Sequence, residues 1–239
     1  MFDIIIPIHN NLKDLQFTLS NLEVTTEKYN NLILIDDKST DENIKTFLKN
    51  YNNKNAKNII KLENEDHLWF TRTVNKGLLY IEKDYVFVLN SDLLFEKHWI
   101  QKMFDTMNSD KDIYLVGSLY NEKNIKHEYV EYPNYVTGHC LLFKTKIFEE
   151  IGYLSLSDTN VHYGSDKEYC NRMQLNNYKV MYNYDAIVYH DGRHPSLRSI
   201  VKTDEESHLI TRKEYQDNKF LKFDNEYKEL FYKKYKFKF

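Results

Sequence analysis

Three small polar residues at the end of an apolar run are the first candidates for chemistry in this sequence. The run Tyr85–Leu89 is apolar, β-branched and aromatic, and Asn90, Ser91 and Asp92 follow it directly. A run without polar alternation is typical of a strand buried on both faces, and open parallel sheets bind ligands beyond the carboxyl ends of their strands. A carboxylate there could hold a divalent cation against the phosphates of a ligand, because hard cations prefer oxygen ligands. The alternative is a simple turn, since all three residue types also favour turns and caps.

Two more polar clusters follow apolar runs earlier in the chain. Residues 9–11 follow a run at 2–8, and residues 36–41 follow a run at 32–35. Apolar residues at roughly helical spacing come after each cluster, so strand and helix alternate through this part of the chain. Such alternation predicts a parallel sheet whose post-strand loops share one edge. We therefore expect these loops and residues 90–92 to line one pocket.

The second half of the chain has a looser pattern, which predicts a mixed α/β sheet flanked by helices. Ser39 or Thr40 is expected to cap the helix that carries Ile44. We place one domain at 1–200 and a polar, helical C-terminal extension at 201–239. The later strands are expected at 113–118, 136–143, 178–182 and 186–190, and the later helices near 97–107, 145–151 and 164–176.

Composition excludes some classes of protein. The 33 basic and 36 acidic residues give a formal net charge of -3, which disfavours a basic nucleic-acid binder. No signal segment opens the sequence, and no apolar run approaches the ~18–20 residues of a membrane span, so we expect a cytoplasmic protein. Cys140 and Cys170 have no metal-ligand spacing and are expected to be buried thiols.

Five motifs follow one another along the chain, at 4–10, 34–41, 68–77, 89–92 and 164–172. In this order they resemble the motifs of the inverting family 2 glycosyltransferases, which have the nucleotide-diphospho-sugar-binding fold called GT-A. Asn90-Ser91-Asp92 matches the Asn-x-Asp variant of the metal-binding DXD-type motif. Residues 68–77 are similar to a Leu-Trp-Trp-Thr-Gly-Ala-Thr-Asn-Leu-Gly pattern found in a branch that includes many rhamnosyltransferases. The resemblance covers residues 2 to about 195.

The resemblance implies a site for a nucleotide sugar. Asp37 would accept a hydrogen bond from a uracil or thymine imide, and Ser91 would lie near the ribose. Pro7 and His9 would border the base. Arg72 could reach a phosphate or the sugar, or it could be an exposed arginine of a helix face. The implied binding residues are Pro7, His9, Asn10, Asp37, Arg72, Asn75, Asn90 and Ser91, and the implied ligands of Mn²⁺ or Mg²⁺ are Asp92 and His190.

Asp166 is the candidate general base. Burial against apolar neighbours can raise the pKa of a carboxyl from ~3.9 towards a useful value. Glu168 is the rival, but on a helix two positions two residues apart point to nearly opposite sides. Glu168 also lies four residues before Arg172, which favours an ion pair instead. The family often has Glu where this chain has Ser165, so the acceptor pocket is expected to differ.

His190 closes the last predicted strand and matches a histidine that often supplies a further metal ligand in GT-A enzymes. The alternative for His190 is a structural role at the strand end. His194 is a weaker candidate for the metal ligand. His67, His139 and His162 have no assigned role.

The sequence and the resemblance together predict an inverting glycosyltransferase. The donor would be a UDP- or dTDP-linked hexose or deoxyhexose, and the acceptor a hydroxyl of a surface glycan or glycolipid. A sugar nucleotidyltransferase is an alternative, although residues 9–11 lack the expected glycine-rich loop. A catalytically silent binding module is another, supported by Ser165. The lysine-and-aromatic tail at 232–239 could touch an anionic membrane or form a helix packed on the domain.

Overall fold

The computed structural model of the protein describes residues 1–120, 135–154, 164–190 and 221–235. The strands are β1 Asp3–Ile8, β2 Tyr29–Asp36, β3 Ala56–Glu63, β4 Tyr85–Leu89, β5 Leu93–Phe95, β6 Ile113–Tyr120, β7 Cys140–Lys144 and β8 Lys179–His190. The helices are α1 Leu12–Thr25, α2 Glu42–Asn50, α3 Trp69–Leu78, α4 Trp99–Ser109, α5 Ile147–Ile151, α6 Ser165–Leu175 and α7 Leu221–Tyr235.

The described strands form one mixed sheet in the order β3-β2-β1-β4-β7-β6-β8-β5. The pairs β1–β2, β2–β3 and β1–β4 are parallel, as the alternating first half of the sequence predicts. Strand β7 runs antiparallel to both β4 and β6, and β5 runs antiparallel to β8. The carboxyl ends of β1, β2 and β4 therefore lie at one edge and carry the three predicted loops there.

Helices cover both faces of the sheet, as a strand that is apolar on both sides requires. Ile4 and Ile6 of β1 pack into a core with α1, α2 and α4. Ile5 points to the opposite face, where it packs with residues of α3, α5, α6 and α7. This arrangement is the predicted α/β fold with a mixed central sheet. Among the described helices, none is both long and apolar enough to cross a membrane.

Two local predictions about the second half of the sheet are wrong. Strand β8, Lys179–His190, is one strand where two were predicted, and its pairing with β6 shifts between Ser118 and Leu119. The Asn183 side chain accepts hydrogen bonds from the amides of Asp185 and Ala186, which holds this irregularity within a continuous strand. Strand β7 begins only at Cys140, because the amides just before it bond to side chains instead of a neighbouring strand.

The predicted helix cap at Ser39 or Thr40 is also wrong. The side chain of Asp41 caps α2 by accepting a hydrogen bond from the amide of Asn43. The hydroxyl of Ser39 instead accepts from the amide of Asn10 at 2.8 Å. The hydrogen bond between Ser39 and Asn10 therefore links the 36–41 loop to the 9–11 loop.

Candidate functional site

A cleft lies at the sheet edge where the three predicted loops meet. It contains about 460 Å³ of space free of protein atoms. Seven of the predicted site residues line it, namely Pro7, His9, Asp37, Asn90, Ser91, Asp92 and His190. Ile8, His67 and Phe70 also line it, and none of the three was predicted to be a site residue.

Asp92 and His190 lie together at one end of this cleft. The short turn between β4 and β5 carries Asp92, and the pairing of Leu93 with His190 brings the end of β8 beside it. Asp92 Oδ1 lies 3.1 Å from His190 Nε2, and the Asp92 side chain is only 5% exposed. Asp92 Oδ2 is buried and has no hydrogen-bond partner among the described residues.

A divalent cation fits this pair of side chains. A buried carboxylate oxygen without a partner is costly unless a donor or a cation satisfies it. An adjacent imidazole nitrogen adds a ligand of the type that Mn²⁺ and other transition metals accept. The amide group of Asn90 lies 3.0 Å from the same His190 nitrogen. Asn90 therefore borders the position that a cation would take.

Asp37 lies at the other end of the cleft, where several hydrogen bonds hold its carboxylate. Its Oδ1 accepts from the side chain of Asn64 at 2.8 Å and from the amide of Leu68 at 2.7 Å. Its Oδ2 lies 2.8 Å from Nδ1 of His67. Burial alone would raise the pKa of Asp37, but the bonds from His67, Asn64 and the Leu68 amide outweigh burial and lower it. Asp37 is therefore an anion at neutral pH.

Asn10 fixes the tautomer of His9. The Asn10 oxygen accepts hydrogen bonds from the amides of Thr40 and Asp41, so its NH₂ group faces Nε2 of His9 at 3.0 Å. His9 Nε2 must therefore accept, and its Nδ1 carries the proton and donates to the carbonyl oxygen of Asp37 at 2.7 Å. Burial and the nearby His67 ring lower the pKa of His9, which agrees with a neutral ring.

His9, Asp37 and His67 are also grouped closely enough to hold a metal ion. One potential ligand atom from each residue lies within 4.8 Å of the others. In this hydrogen-bond arrangement, however, His9 has no lone pair left, so a metal would have to displace Asn10 or the Asp37 carbonyl. The rings of His9 and His67 lie 4.0 Å apart, and His67 lies 4.3 Å from the ring of Trp69. This geometry favours an aromatic surface on which a planar group can stack.

Asp166 lies at the start of α6 and is not among the residues that line the cleft. Its Oδ2 accepts from the amide of Gly138 at 2.9 Å, and its Oδ1 accepts from the amide of Lys167 at 2.8 Å. Burial raises the pKa of Asp166 despite these two bonds. The carbonyl oxygen of His139, the residue after Gly138, accepts from the amide of Asn90 at 2.9 Å. A short backbone path therefore connects Asp166 with the Asp92 turn.

The predicted ion pair between Glu168 and Arg172 is confirmed. Arg172 donates to both carboxylate oxygens of Glu168, at 3.0 and 2.9 Å, and also to the carbonyl oxygens of Ile151 and Tyr153. Glu168 is thus engaged in holding α6 against the segment after α5. Ser165, which stands where the family often has Glu, is buried.

Arg72 and Asn75 lie on α3 outside the residues that line the cleft. Arg72 is 1% exposed, which rules out an exposed helix-face arginine. Its Nε and Nη2 donate to the two carboxylate oxygens of Asp224 on α7, at 2.7 and 2.9 Å. The Asn75 side chain bonds to both the amide and the carbonyl of Leu154. His162 and His194 lie outside the described residues.

The sequence contained one signal that could have found His67. His67 lies in the loop between β3 and α3, and β3 is parallel to β2. The rule that gathered the loops after the other parallel strands therefore applies to this loop as well. Phe70 had no comparable signal, because it is one of several apolar residues at the start of a helix.

The chain belongs to glycosyl transferase family 2, whose family model matches residues 3–173. No curated protein sequence matches it. Solved structures with a similar fold include GalNAc-T7 with UDP, GalNAc and Mn²⁺; the mannosyltransferase PcManGT from Pyrobaculum calidifontis with GDP-Man and Mn²⁺; and S. aureus TarS 1-349 with UDP-GlcNAc.

The likeness to these structures is one of fold. Their TM-scores are 0.65, 0.64 and 0.61, at sequence identities of 14%, 14% and 17%. The matches cover 80%, 94% and 88% of this chain, but only 43%, 64% and 64% of the other chains. The fold is therefore the GT-A fold, as the resemblance of the motifs implies, and the chain spans less than two thirds of each of these neighbours.

Proposed function

We propose that this protein is a metal-dependent glycosyltransferase that moves a sugar from a nucleotide diphosphate sugar to a hydroxyl group. The observation that carries the proposal is the buried, unpartnered Oδ2 of Asp92, in a carboxylate that lies 3.1 Å from His190 Nε2. These groups share a cleft with the His9 and Asp37 end, which has an aromatic surface and a fixed anion. The family membership supports the same function. So do the ligands of the fold neighbours, which are UDP, GalNAc and Mn²⁺ in one, GDP-Man and Mn²⁺ in another, and UDP-GlcNAc in the third.

Each end of the cleft has its own task in this proposal. Asp92 and His190 would hold Mn²⁺ or Mg²⁺, which as a Lewis acid stabilises the departing diphosphate. His9 and Pro7 would border the base, Asp37 would order the polar groups around it, and Ser91 would lie near the ribose. Asn10 acts through His9 by fixing its tautomer. We propose a uridine or thymidine diphosphate donor. The sugar that it carries would be a hexose or a deoxyhexose such as rhamnose.

Asp166 is the proposed general base for the acceptor hydroxyl. A raised pKa makes its carboxylate a better proton acceptor, and its two backbone hydrogen bonds fix its position. Asp166 would accept the hydroxyl proton as the acceptor oxygen bonds to the anomeric carbon and the bond between that carbon and the diphosphate breaks. Attack from the side opposite the diphosphate is a single displacement, which inverts the anomeric centre. The proposed acceptor is a surface glycan or glycolipid. Arg72 and Asn75 would support the donor site indirectly, by holding α3.

Association with a membrane surface is a separate part of the proposal. Tyr227, Phe231 and Tyr235 turn one face of α7 into the core, so this helix packs on the domain. Its outward face mixes Lys228 and Lys233 with Glu229, which gives little net positive charge. Contact with anionic lipid from the cytoplasmic side would therefore depend on residues 236–239, which lie outside the described residues. Co-sedimentation with anionic vesicles tests this contact.

The experiment that tests the function is a thermal-shift screen of UDP, dTDP, GDP and CDP, each with and without Mn²⁺. A ligand that binds the native state at 100 times its Kd stabilises the protein by about 2.7 kcal/mol, and the unfolding midpoint rises accordingly. We expect stabilisation by a uridine or thymidine diphosphate that depends on Mn²⁺ and disappears in Asp92→Ala. The matched control is Asp105→Ala, which removes an exposed carboxylate of α4. Metal-independent binding, or full binding by Asp92→Ala, contradicts the proposed site.

One observation favours a second candidate, a binding module without catalysis. Both oxygens of Asp166 are already bonded to backbone amides, as in a purely structural role. Incubation of UDP- and dTDP-sugars with Mn²⁺ and a panel of glycan acceptors separates the two functions. Nucleotide binding without transfer or donor hydrolysis would favour the module, whereas turnover that Asp166→Asn abolishes would favour the enzyme.

A further inference from the structure

The segment Thr137-Gly138-His139, just before β7, contacts the proposed general base and two residues at the proposed metal end of the cleft. The amide of Gly138 donates to Asp166 Oδ2 at 2.9 Å. The carbonyl oxygen of His139 accepts from the amide of Asn90 at 2.9 Å. The ring of His139 stacks on the ring of His190, with their centroids 5.6 Å apart and their planes tilted by 25°. One tripeptide therefore connects the proposed base with the proposed metal ligands.

Both nitrogens of the His139 ring lie within hydrogen-bond distance of a hydroxyl group. Its Nε2 lies 3.1 Å from the Ser118 hydroxyl, and its Nδ1 lies 2.9 Å from the Thr137 hydroxyl. The hydroxyl of Tyr182 in turn accepts a hydrogen bond from the amide of Thr137 at 2.9 Å. A ring with both nitrogens bonded has one fixed orientation.

The side chain of His190 is not oriented by its strand alone. Its backbone is fixed by pairing with Leu93, but strand pairing leaves the side-chain torsions free to choose among rotamers. Its Nε2 meets Asp92 Oδ1 and the Asn90 amide group at one edge of the ring. The flat face of His139 restricts the ring plane itself. Together these contacts aim Nε2 at the oxygen atoms of Asp92.

We propose that His139 is a positioning residue that sets the ring plane of His190, and that the Thr137–His139 segment fixes this ligand pair relative to Asp166. The proposal rests on the proposed function where it concerns the metal. Residues behind a metal ligand orient it, and their loss typically costs about 10- to 100-fold in metal affinity. His139 acts through ring stacking instead of a hydrogen bond to the ligand, so we expect a loss near the lower end, about tenfold.

The test compares His139→Leu, which removes the stacked ring, with His139→Phe, which keeps a flat ring without its nitrogens. The matched control is Tyr169→Phe, which removes a buried hydroxyl bonded to the Gly152 carbonyl at 2.8 Å. Mn²⁺ affinity is measured by electron paramagnetic resonance of free Mn²⁺, alone and with UDP. We expect His139→Leu to weaken Mn²⁺ binding about tenfold, His139→Phe to weaken it less, and Tyr169→Phe to leave it unchanged.

A second readout needs no metal. Nuclear magnetic resonance of ¹⁵N-labelled histidine rings in the metal-free protein reports the environment of His190, and we expect its signals to move in His139→Leu but not in Tyr169→Phe. Unchanged His190 signals overturn the proposal, as does wild-type Mn²⁺ affinity in His139→Leu. If the wild-type protein binds no Mn²⁺ with or without UDP, the proposed function fails, and the histidine signals still decide the role of His139. If the His139 variants do not fold, Thr137→Val, which removes one hydroxyl bonded to the ring, undergoes both measurements.

Discussion

The carboxylates of Asp37, which is buried, and Asp166, which is half-buried, show how the surroundings set the charge of a side chain. Burial acts on Asp37 and Asp166 in the same direction, because it disfavours the ionised form. At Asp37 the bonds from His67, Asn64 and the Leu68 amide are stronger than burial, and the pKa is lowered. At Asp166 the two backbone amides do not outweigh burial, and the pKa is raised. Asp37 thus suits a permanent anion, and Asp166 suits a group that exchanges a proton.

The direction of the Asp166 shift gives a prediction about pH. A general base works only when it is deprotonated, so the transfer rate should rise with pH as the Asp166 carboxyl ionises. Because its pKa is raised, this rise should occur above the ordinary carboxyl value of ~3.9. Asp166→Asn should lower kcat by about 100-fold or more and remove this limb of the profile. The measurement is kcat against pH for both proteins with a fixed donor and saturating Mn²⁺.

Glu168→Gln is the matched control for this prediction. It neutralises a carboxylate on the same helix, two residues away, whose partner is Arg172. Its pH limb should resemble that of the wild-type protein. A limb that persists in Asp166→Asn but vanishes in Glu168→Gln would assign the base to Glu168 instead.

At the scale of elements, the parallel half of the sheet could be predicted from the sequence because its signals are local. An apolar run, a polar loop and an amphipathic helix repeat within a few tens of residues, and β1, β2 and β4 follow that rule. The same rule placed Asp37 and Asp92 at one edge. The start of β7 could not be predicted, because the Gly138 amide is taken by Asp166, a partner 28 residues away.

The partner of Arg72 could not be predicted for the same reason. Asp224 lies 152 residues further along the chain, and no local pattern joins the two. An arginine among polar neighbours on a helix is usually exposed. Arg72 is buried because α7 packs against α3 and places Asp224 beside it. The site residues that the sequence missed or misplaced are therefore those whose role depends on elements that meet in space.

The contact between α3 and α7 gives a prediction at this scale. Asp224→Ala leaves the Arg72 guanidinium buried without its carboxylate, and removal of one partner of a buried pair costs about 3–5 kcal/mol. Asp224 is 14% exposed, so we expect about 3 kcal/mol in the free energy of unfolding. Urea unfolding measures it. The control is Asp66→Ala, which breaks the exposed pair with Lys38 and should have little effect.

A double variant separates loss of the pair from loss of packing. Arg72→Met combined with Asp224→Leu removes both charges and keeps apolar bulk, so it should recover much of the stability lost in Asp224→Ala. Equal destabilisation in the single and double variants would contradict the account based on an unpaired buried charge.

For the molecule as a whole, the folded core extends beyond the segment that matches the family model. The match ends at residue 173, within α6, whereas β8 lies later in the chain and inserts between β6 and β5. Strand β8 supplies His190, so a proposed metal ligand lies beyond the matched segment. Helix α7 lies further still and shares a core with α3, α5 and α6. The proposed boundary near residue 200 therefore separates segments that pack together.

Removal of α7 tests whether the chain up to residue 220 can fold without this helix. A chain ending at residue 220 loses the aromatic side chains of Tyr227, Phe231 and Tyr235, each worth about 1.5–3 kcal/mol when buried. It also leaves Arg72 without Asp224. We expect a larger loss of unfolding free energy than in Asp224→Ala, with binding of a hydrophobic dye to the apolar side chains that α7 covers, among them Phe148 of α5 and Tyr153. Leu230→Ser is the control, because Leu230 is 54% exposed on the outward face of α7. A truncated protein that unfolds cooperatively at the wild-type midpoint would show that the domain is complete without α7, and that the helix serves another purpose than stability.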